Sequence, residues 1–182
     1  MPSQAMEHAI SVFRDRRTAR TSQDRPTLEE QRAGFAPAGR LFPIPDDVQV
    51  TVVGAGGVPA SWLMAPLADP GRVLLFVHSG GYQLGSLRSH GELAARLGRA
   101  SGMRVLFPEY RLAPEHPFPA AFEDVLASWR WPRTDQDLGA ASLAAAGDSV
   151  GGGFAVALLV ALRDAGESSC RQPPSCCLRK SI

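Results

Sequence analysis

From residue 48 onward the apolar residues fall into short runs separated by glycine- and proline-rich punctuation. Residues 48–53 alternate apolar and polar positions, and residues 58–65 form a second extended run. Gly54-Ala55-Gly56-Gly57 lies between them, so the pair reads as a β-hairpin or bulged turn. Residues 72–77, Arg-Val-Leu-Leu-Phe-Val, are almost continuously apolar, the pattern of a strand buried on both faces. Residues 92–100 read as a helix with Leu93 and Leu97 on one face, stopped by Gly102. Residues 103–107 form the next buried strand. A loop with Pro108, Pro114, Pro117 and Pro119 follows. Residues 120–131 place Phe122, Val125, Leu126 and Trp129 at spacings of three and four, which predicts a helix. After a polar loop at 134–139, residues 142–146 predict a strand and the run 154–162 a helix. Strands that alternate with helices predict an α/β fold with a mostly parallel, doubly wound sheet.

Upstream, residues 1–42 are polar and read as a helical N-terminal cap segment. Residues 5–13 fit a short amphipathic helix. Thr27-Leu28-Glu29-Glu30 is a capping box, so a second helix is expected from Leu28 to about Ala33. Arg14, Arg16, Arg17, Arg20 and Arg25 are interspersed with acids, which suits a solvated surface better than an anion-binding patch. Pro37, Pro43 and Pro45 make a linker into the main domain, taken as residues 43–165.

Composition narrows the function classes. The chain has 182 residues, 45% apolar and 20% charged, with a net charge of +1. That suits one globular domain with a sizeable core and gives no electrostatic case for nucleic acid or a membrane surface. No run reaches the length of a membrane span. The start, Met1-Pro2-Ser3-Gln4, lacks a signal-peptide layout, so a cytoplasmic location is expected. Val52-Val53-Gly54-Ala55-Gly56 imitates a dinucleotide fingerprint. It leads into a strand instead of a helix and lacks the acidic partner, so no cofactor is expected. Cys170, Cys176 and Cys177 have the wrong spacing for paired zinc ligands, and no metal is expected.

The chemistry centres on Gly147-Asp148-Ser149-Val150-Gly151. An apolar run precedes it and another follows, which makes strand, sharp turn and helix with a serine at the tip. This is the pattern of a nucleophile elbow. Side chains two before and two after the serine would collide, so both places favour glycine. The following helix aims its N-terminal amides at the serine.

Two further stretches complete a pattern. His78-Ser79-Gly80-Gly81-Tyr82 follows a buried strand, and Tyr110-Arg111-Leu112-Ala113-Pro114-Glu115-His116-Pro117-Phe118-Pro119-Ala120 follows the next. With Gly147 to Gly152, these resemble the His-Gly-Gly-Gly-aromatic loop, the proline loop and the Gly-Asp-Ser-Ala-Gly-Gly elbow of hormone-sensitive-lipase-like α/β-hydrolases, chiefly bacterial carboxylesterases. The resemblance runs from about residue 25 to 165. It implies an α/β-hydrolase fold with N-terminal cap helices and hydrolysis of small acyl esters. It makes Ser149 the catalytic nucleophile and the amides of Gly80, Gly81 and Val150 the oxyanion hole. It assigns His78 to orienting the glycine loop. Asp148 is adjacent to the serine, so its side chain is expected to point away from the nucleophile's base and to be structural. Ser79 replaces the family's first glycine, Val150 its alanine, and Glu109 its aspartate. Arg111 and Glu115 are expected to form an ion pair or to cap the proline loop. His116 is expected to be a packed loop residue, and His8 and His90 surface residues without a role.

The family order, Ser then acid then His, is not met. The acids after Ser149 are Asp164 and Glu167, and no histidine follows it. Asp164 lies roughly 22 Å away along the helix at 1.5 Å rise per residue. The triad acid and base are therefore expected to be absent from this chain. The sheet is expected to be incomplete in its C-terminal half, with residues 142–146 as an apolar edge open to self-association. Residues 166–182 are expected to be an aberrant tail, either translated out of frame or mis-joined. A catalytically inactive fragment or a binding-only protein is the alternative reading.

Overall fold

The computed structural model describes residues 26–35 and 42–167, together with Gln4, Glu7 and Ser11, which are helical. The helix expected over 5–13 thus lies mostly outside the described residues, as does the tail beyond Glu167. The described elements are α1 (Leu28–Phe35), β1 (Gln49–Ala55), β2 (Val58–Met64), β3 (Asp69–Val77), α2 (Leu87–Ser101), β4 (Met103–Pro108), α3 (Ala120–Asp135), β5 (Leu143–Gly147) and α4 (Val150–Asp164). The sheet order is β1-β2-β4-β3-β5. β1 and β2 form an antiparallel hairpin, and β2 is antiparallel to β4. β3 runs parallel to both β4 and β5. This is the α/β-hydrolase fold, with a mixed, mostly parallel sheet.

The buried strands sort their side chains by parity, as a pleat requires. Val73, Leu75 and Val77 of β3 join Leu106 of β4 on one face, against Val125 and Trp129 of α3 and Leu158 and Leu162 of α4. Leu74 and Phe76 of β3 join Val105 and Phe107 of β4 on the other, against Ala94 and Ala95 of α2. Each crossover helix therefore covers one face, and the continuous apolar run of β3 follows from burial on both sides. Fully burying each such side chain contributes about 1.5–3 kcal/mol.

Three local features go beyond the pattern of the sequence. Leu93 of α2 faces solvent, and the helix buries His90, Gly91, Ala94, Ala95 and Gly98. Small residues win because a Cβ on Gly98 would crowd Val105, so the helix lies close on β4. Val50 and Val52 of β1 stay exposed, because β1 is an outer strand that pairs with β2 and with no other strand among the described residues. α3 continues past Trp131 and through Pro132 to Asp135.

The capping box forms as expected. Thr27 N–H donates to Glu30 Oε2 at 2.7 Å, and Glu30 N–H donates to Thr27 Oγ1 at 3.2 Å. The helix runs to Phe35, slightly longer than expected. β5 lies at the sheet's edge with all five residues half-exposed.

Candidate active site

β5 ends at Gly147 and α4 begins at Val150, so Asp148 and Ser149 make the whole turn. Ser149 has φ 50° and ψ −115°, backbone that a residue with a Cβ adopts only when its surroundings force it. Both flanking glycines supply that force. A Cβ on Gly147 would overlap the carbonyl of Gly151, and a Cβ on Gly151 would overlap the carbonyl oxygen of Val77. Gly151 N–H donates to Asp148 O at 2.8 Å, and Gly153 N–H donates to Ser149 O at 3.2 Å. Val150 opens the helix, where an amide has no intrahelical acceptor. Ser149 itself is exposed.

The glycine loop arrives beside this turn because Val77, the last residue of β3, pairs with Gly147. Ser79 N–H donates to Asp148 Oδ1 at 3.0 Å, which ties the loop directly to the elbow. Gly80 has φ 128°, and its carbonyl accepts the Gln83 and Leu84 amides at 3.1 and 2.9 Å. A Cβ there would overlap Leu84 O. Gly81 has φ 61°, with nothing within 4 Å of where a Cβ would stand. Tyr82 then meets the Phe154 ring of α4 edge-on at 5.3 Å. Ser149, Val150, Gly80 and Gly81 are thus gathered at the C-terminal ends of two adjacent parallel strands, where ligands bind in open α/β sheets.

An apolar cavity of about 700 Å³ opens next to these groups, walled by Tyr82, His116, Phe118, Phe122 and Phe154. The proline loop forms its far side, with cis peptide bonds at Ala113–Pro114 and Phe118–Pro119. Ala113 N–H donates to Tyr82 O at 2.8 Å, joining the two loops. His116 is exposed at the cavity rim, not packed as expected.

The sequence pattern of the alpha/beta hydrolase fold matches residues 74–178. The chain belongs to the α/β-hydrolase fold family. It is 48% identical over 115 residues to an acetyl-hydrolase of Streptomyces hygroscopicus, across 63% of this chain and 38% of that protein. An ethyl acetate hydrolase of Pseudomonas putida is 39% identical over 118 residues, across 62% of this chain and 37% of that one. A solved esterase of the bacterial hormone-sensitive lipase family aligns with a TM-score of 0.79 at 40% identity, over 92% of this chain and 55% of that one. These relatives place it in the hormone-sensitive-lipase-like esterase branch. The chain spans between 37% and 55% of these relatives' lengths.

Around this α/β-hydrolase site the polar groups are held by unexpected partners. His78 is buried, with Nδ1 2.7 Å from Ser79 O. A carbonyl only accepts, so Nδ1 carries the proton. Tyr110 Oη donates to His78 O at 2.9 Å, and its ring stacks on the imidazole at 4.2 Å. The imidazole also fills the space a Cβ on Gly85 would need. His78 therefore bonds to loop backbone and lies under the loop.

Burial pushes the His78 pKa from 6.5 down to about 4, with His90 adding to the depression while the Ser79 carbonyl and Asp148 oppose it. The unfolded chain takes up this proton below about pH 6.5, whereas the folded chain resists until about pH 4. Stability is therefore full above that window and falls across it as the pH drops. The expected loss approaches about 3 kcal/mol below pH 4. Urea denaturation at pH 7, 5 and 4 checks this, and coincident midpoints would mean the ring is not sealed.

His90 is not a surface residue. It is 8% exposed, with Nε2 2.8 Å from Ser79 Oγ and Nδ1 2.8 Å from Ser89 Oγ. Arg111 does not pair with Glu115. Its Nη2 donates to Asp124 Oδ1 at 2.8 Å, and its amide donates to Asp124 Oδ2 at 2.8 Å, bracing the proline loop on α3. Glu115 is bound instead by Arg32 of α1, at 2.7 and 2.8 Å, which holds its pKa down at about 2. Arg32 also donates to Gln83 O and Ala113 O, at 2.9 and 3.1 Å. Glu109 accepts the Leu87 amide at 2.8 Å at the start of α2, and burial raises its pKa.

Among the described residues, no histidine or carboxylate is hydrogen-bonded to Ser149 Oγ. Asp164 lies at the far end of α4, exposed and bonded to Arg163. Among the described residues no cluster could hold a metal ion, and no helix is long and apolar enough to cross a membrane.

Proposed function

We propose that this chain carries the nucleophile and oxyanion machinery of a serine hydrolase for small carboxylic esters. Ser149 Oγ attacks the acyl carbon, and the carbonyl oxygen becomes an oxyanion facing the amides of Gly80, Gly81 and Val150. Each such donor contributes about 3 kcal/mol to the transition state. The alcohol leaves, and water releases the acyl group from the serine. The observation that carries this reading is the backbone of Ser149, φ 50° and ψ −115°, locked between two glycines that tolerate no side chain. The apolar cavity beside Tyr82 suits a short acyl or alcohol group, and the acetyl- and ethyl acetate-hydrolysing relatives support small substrates.

The proton of Ser149 needs a base, which in this proposal comes from outside the described residues. A second reading, a chain that binds esters without turning them over, rests on the same missing partner. Treating the purified chain with a fluorophosphonate separates them. The serine oxygen displaces fluoride and stays labelled. The proposal expects stoichiometric labelling that Ser149→Ala abolishes. With the oxyanion donors alone, p-nitrophenyl acetate turnover about 10³-fold above water is expected. Labelling that survives Ser149→Ala, or none in the parent chain, would rule the nucleophile out. Self-association belongs to the same proposal. Among the described residues β5 bonds to β3 alone, and α4 exposes Val156, Leu159 and Val160. Sedimentation velocity is expected to show a concentration-dependent dimer.

A further inference from the structure

Ser79 is held at its amide and at its hydroxyl. Its amide is bound to Asp148, the residue before Ser149, and its hydroxyl to His90 of α2, at 3.0 and 2.8 Å. The hydroxyl exists because serine stands where the resembled motif has glycine. The two amides read above as oxyanion donors, those of Gly80 and Gly81, come next in the chain.

The direction of the proton follows from the neighbours. Ser89 has one hydroxyl hydrogen, and it goes to Ser86 O at 3.0 Å. Ser89 Oγ also accepts the Ser86 amide at 3.0 Å. Its remaining capacity toward His90 is as an acceptor, so His90 Nδ1 must bring the hydrogen, at 2.8 Å. A neutral imidazole protonated at Nδ1 offers only a lone pair at Nε2. Ser79 Oγ–H therefore donates to Nε2. Asp148 Oδ2 lies 3.7 Å from Nε2, beyond a hydrogen bond. The ring is sealed by the stacked His78 ring at 5.4 Å and the tilted Phe35 ring of α1 at 5.7 Å.

We infer that His90 is a positioning residue for the glycine loop, which as the Nδ1–H tautomer accepts the Ser79 hydroxyl and pins the oxyanion amides against the elbow. The inference rests on the oxyanion reading for its consequence, while its proton geometry stands apart from activity. Burial disfavours a charged imidazole here, which agrees with a neutral ring, although Asp148 opposes that effect. Ser79 and Asp148 then act as one brace, with α2 as its anchor.

The test uses the full chain labelled with ¹⁵N at histidine. Long-range proton–nitrogen correlation spectra at neutral pH are expected to show His90 protonated at Nδ1 and bare at Nε2. In Ser79→Ala the Nε2 resonance is expected to move to that of an imidazole without a donor. Amide exchange at Gly80 and Gly81 is expected to quicken about tenfold, the size of one lost hydrogen bond. Fluorophosphonate labelling of Ser149 slows with it. His90→Ala should match Ser79→Ala in exchange, and His90→Gln, which keeps an acceptor, should recover part of it. A His90 protonated at Nε2, or a Ser79→Ala chain with unmoved Nε2 resonance and unmoved loop exchange, would overturn the inference. A parent chain that never labels removes the nucleophile reading but leaves the tautomer result intact, so the two failures are told apart.

Discussion

Alanine at position 151 is expected to cost about 3 kcal/mol of stability and to abolish covalent labelling of Ser149. The added Cβ meets backbone at the end of β3. It would overlap the carbonyl oxygen of Val77 and come within 2.9 Å of His78 O. Neither acceptor can rotate away, because both belong to the junction of β3 and the glycine loop. The first turn of α4 must lift instead, and it carries Ser149 and Val150 with it. Urea denaturation reads the stability loss, and the fluorophosphonate reads the elbow. A variant with parental stability and labelling would show that the turn has slack the geometry denies it. The same change at Gly153, where an added Cβ has nothing within 4 Å, is expected to leave stability nearly unchanged and serves as the contrast.

Phe107→Ala has the other large effect, about 3–5 kcal/mol. Phe107 is fully buried at the end of β4. Its ring packs on Phe76 at 5.9 Å and on His78 at 5.6 Å. Truncation leaves a void directly beneath the ring that supports the glycine loop. Water reaching His78 would weaken the burial that keeps it neutral, so its pKa should climb back toward 6.5. The acid sensitivity of the variant should therefore move to higher pH and become shallower. Denaturant midpoints across pH, compared with the parent, measure both effects together. A loss below about 1 kcal/mol would mean that the neighbours collapse into the space.

Much of this arrangement could be read from sequence because its signals are local. A collision between Gly147 and Gly151 is a matter of four residues. The capping box at Thr27 and Glu30 is a matter of three. The apolar runs Val73 to Val77 of β3 and Val105 to Phe107 of β4 announced burial on both faces, since no polar position interrupts either. What escaped was set by partners distant in the chain. Arg111 found Asp124 on α3, while Glu115 found Arg32 on α1. Charge alone does not choose between such acids. His90 was missed for another reason. The apolar pattern of α2 points to Leu93 and Leu97, of which Leu97 does pack on the core, whereas close packing on β4 buries the small face of Gly91, Ala94, Ala95 and Gly98. His90 lies on that small face and is buried with it. Its clue was the smallness of its neighbours, which a hydrophobic pattern undervalues.

Arg32 has a consequence for the order in which the molecule assembles. Its bonds reach across 51, 81 and 83 residues of chain, to Gln83, Ala113 and Glu115. α1 itself has no buried residues. Closing loops of that length lowers entropy before any contact rewards it, and here the rewards are a few polar bonds near the surface and the Phe35 ring against His90. Both target loops must already be shaped, since Arg32 binds their carbonyls and not their side chains at Gln83 and Ala113. The helix is therefore expected to dock after the sheet has formed, and in the folded state to be among the first elements to release, which amide exchange in α1 would read. The clasp between the glycine and proline loops is thus expected to be a late, loosely held step of folding, laid over a centre that the glycines have already fixed.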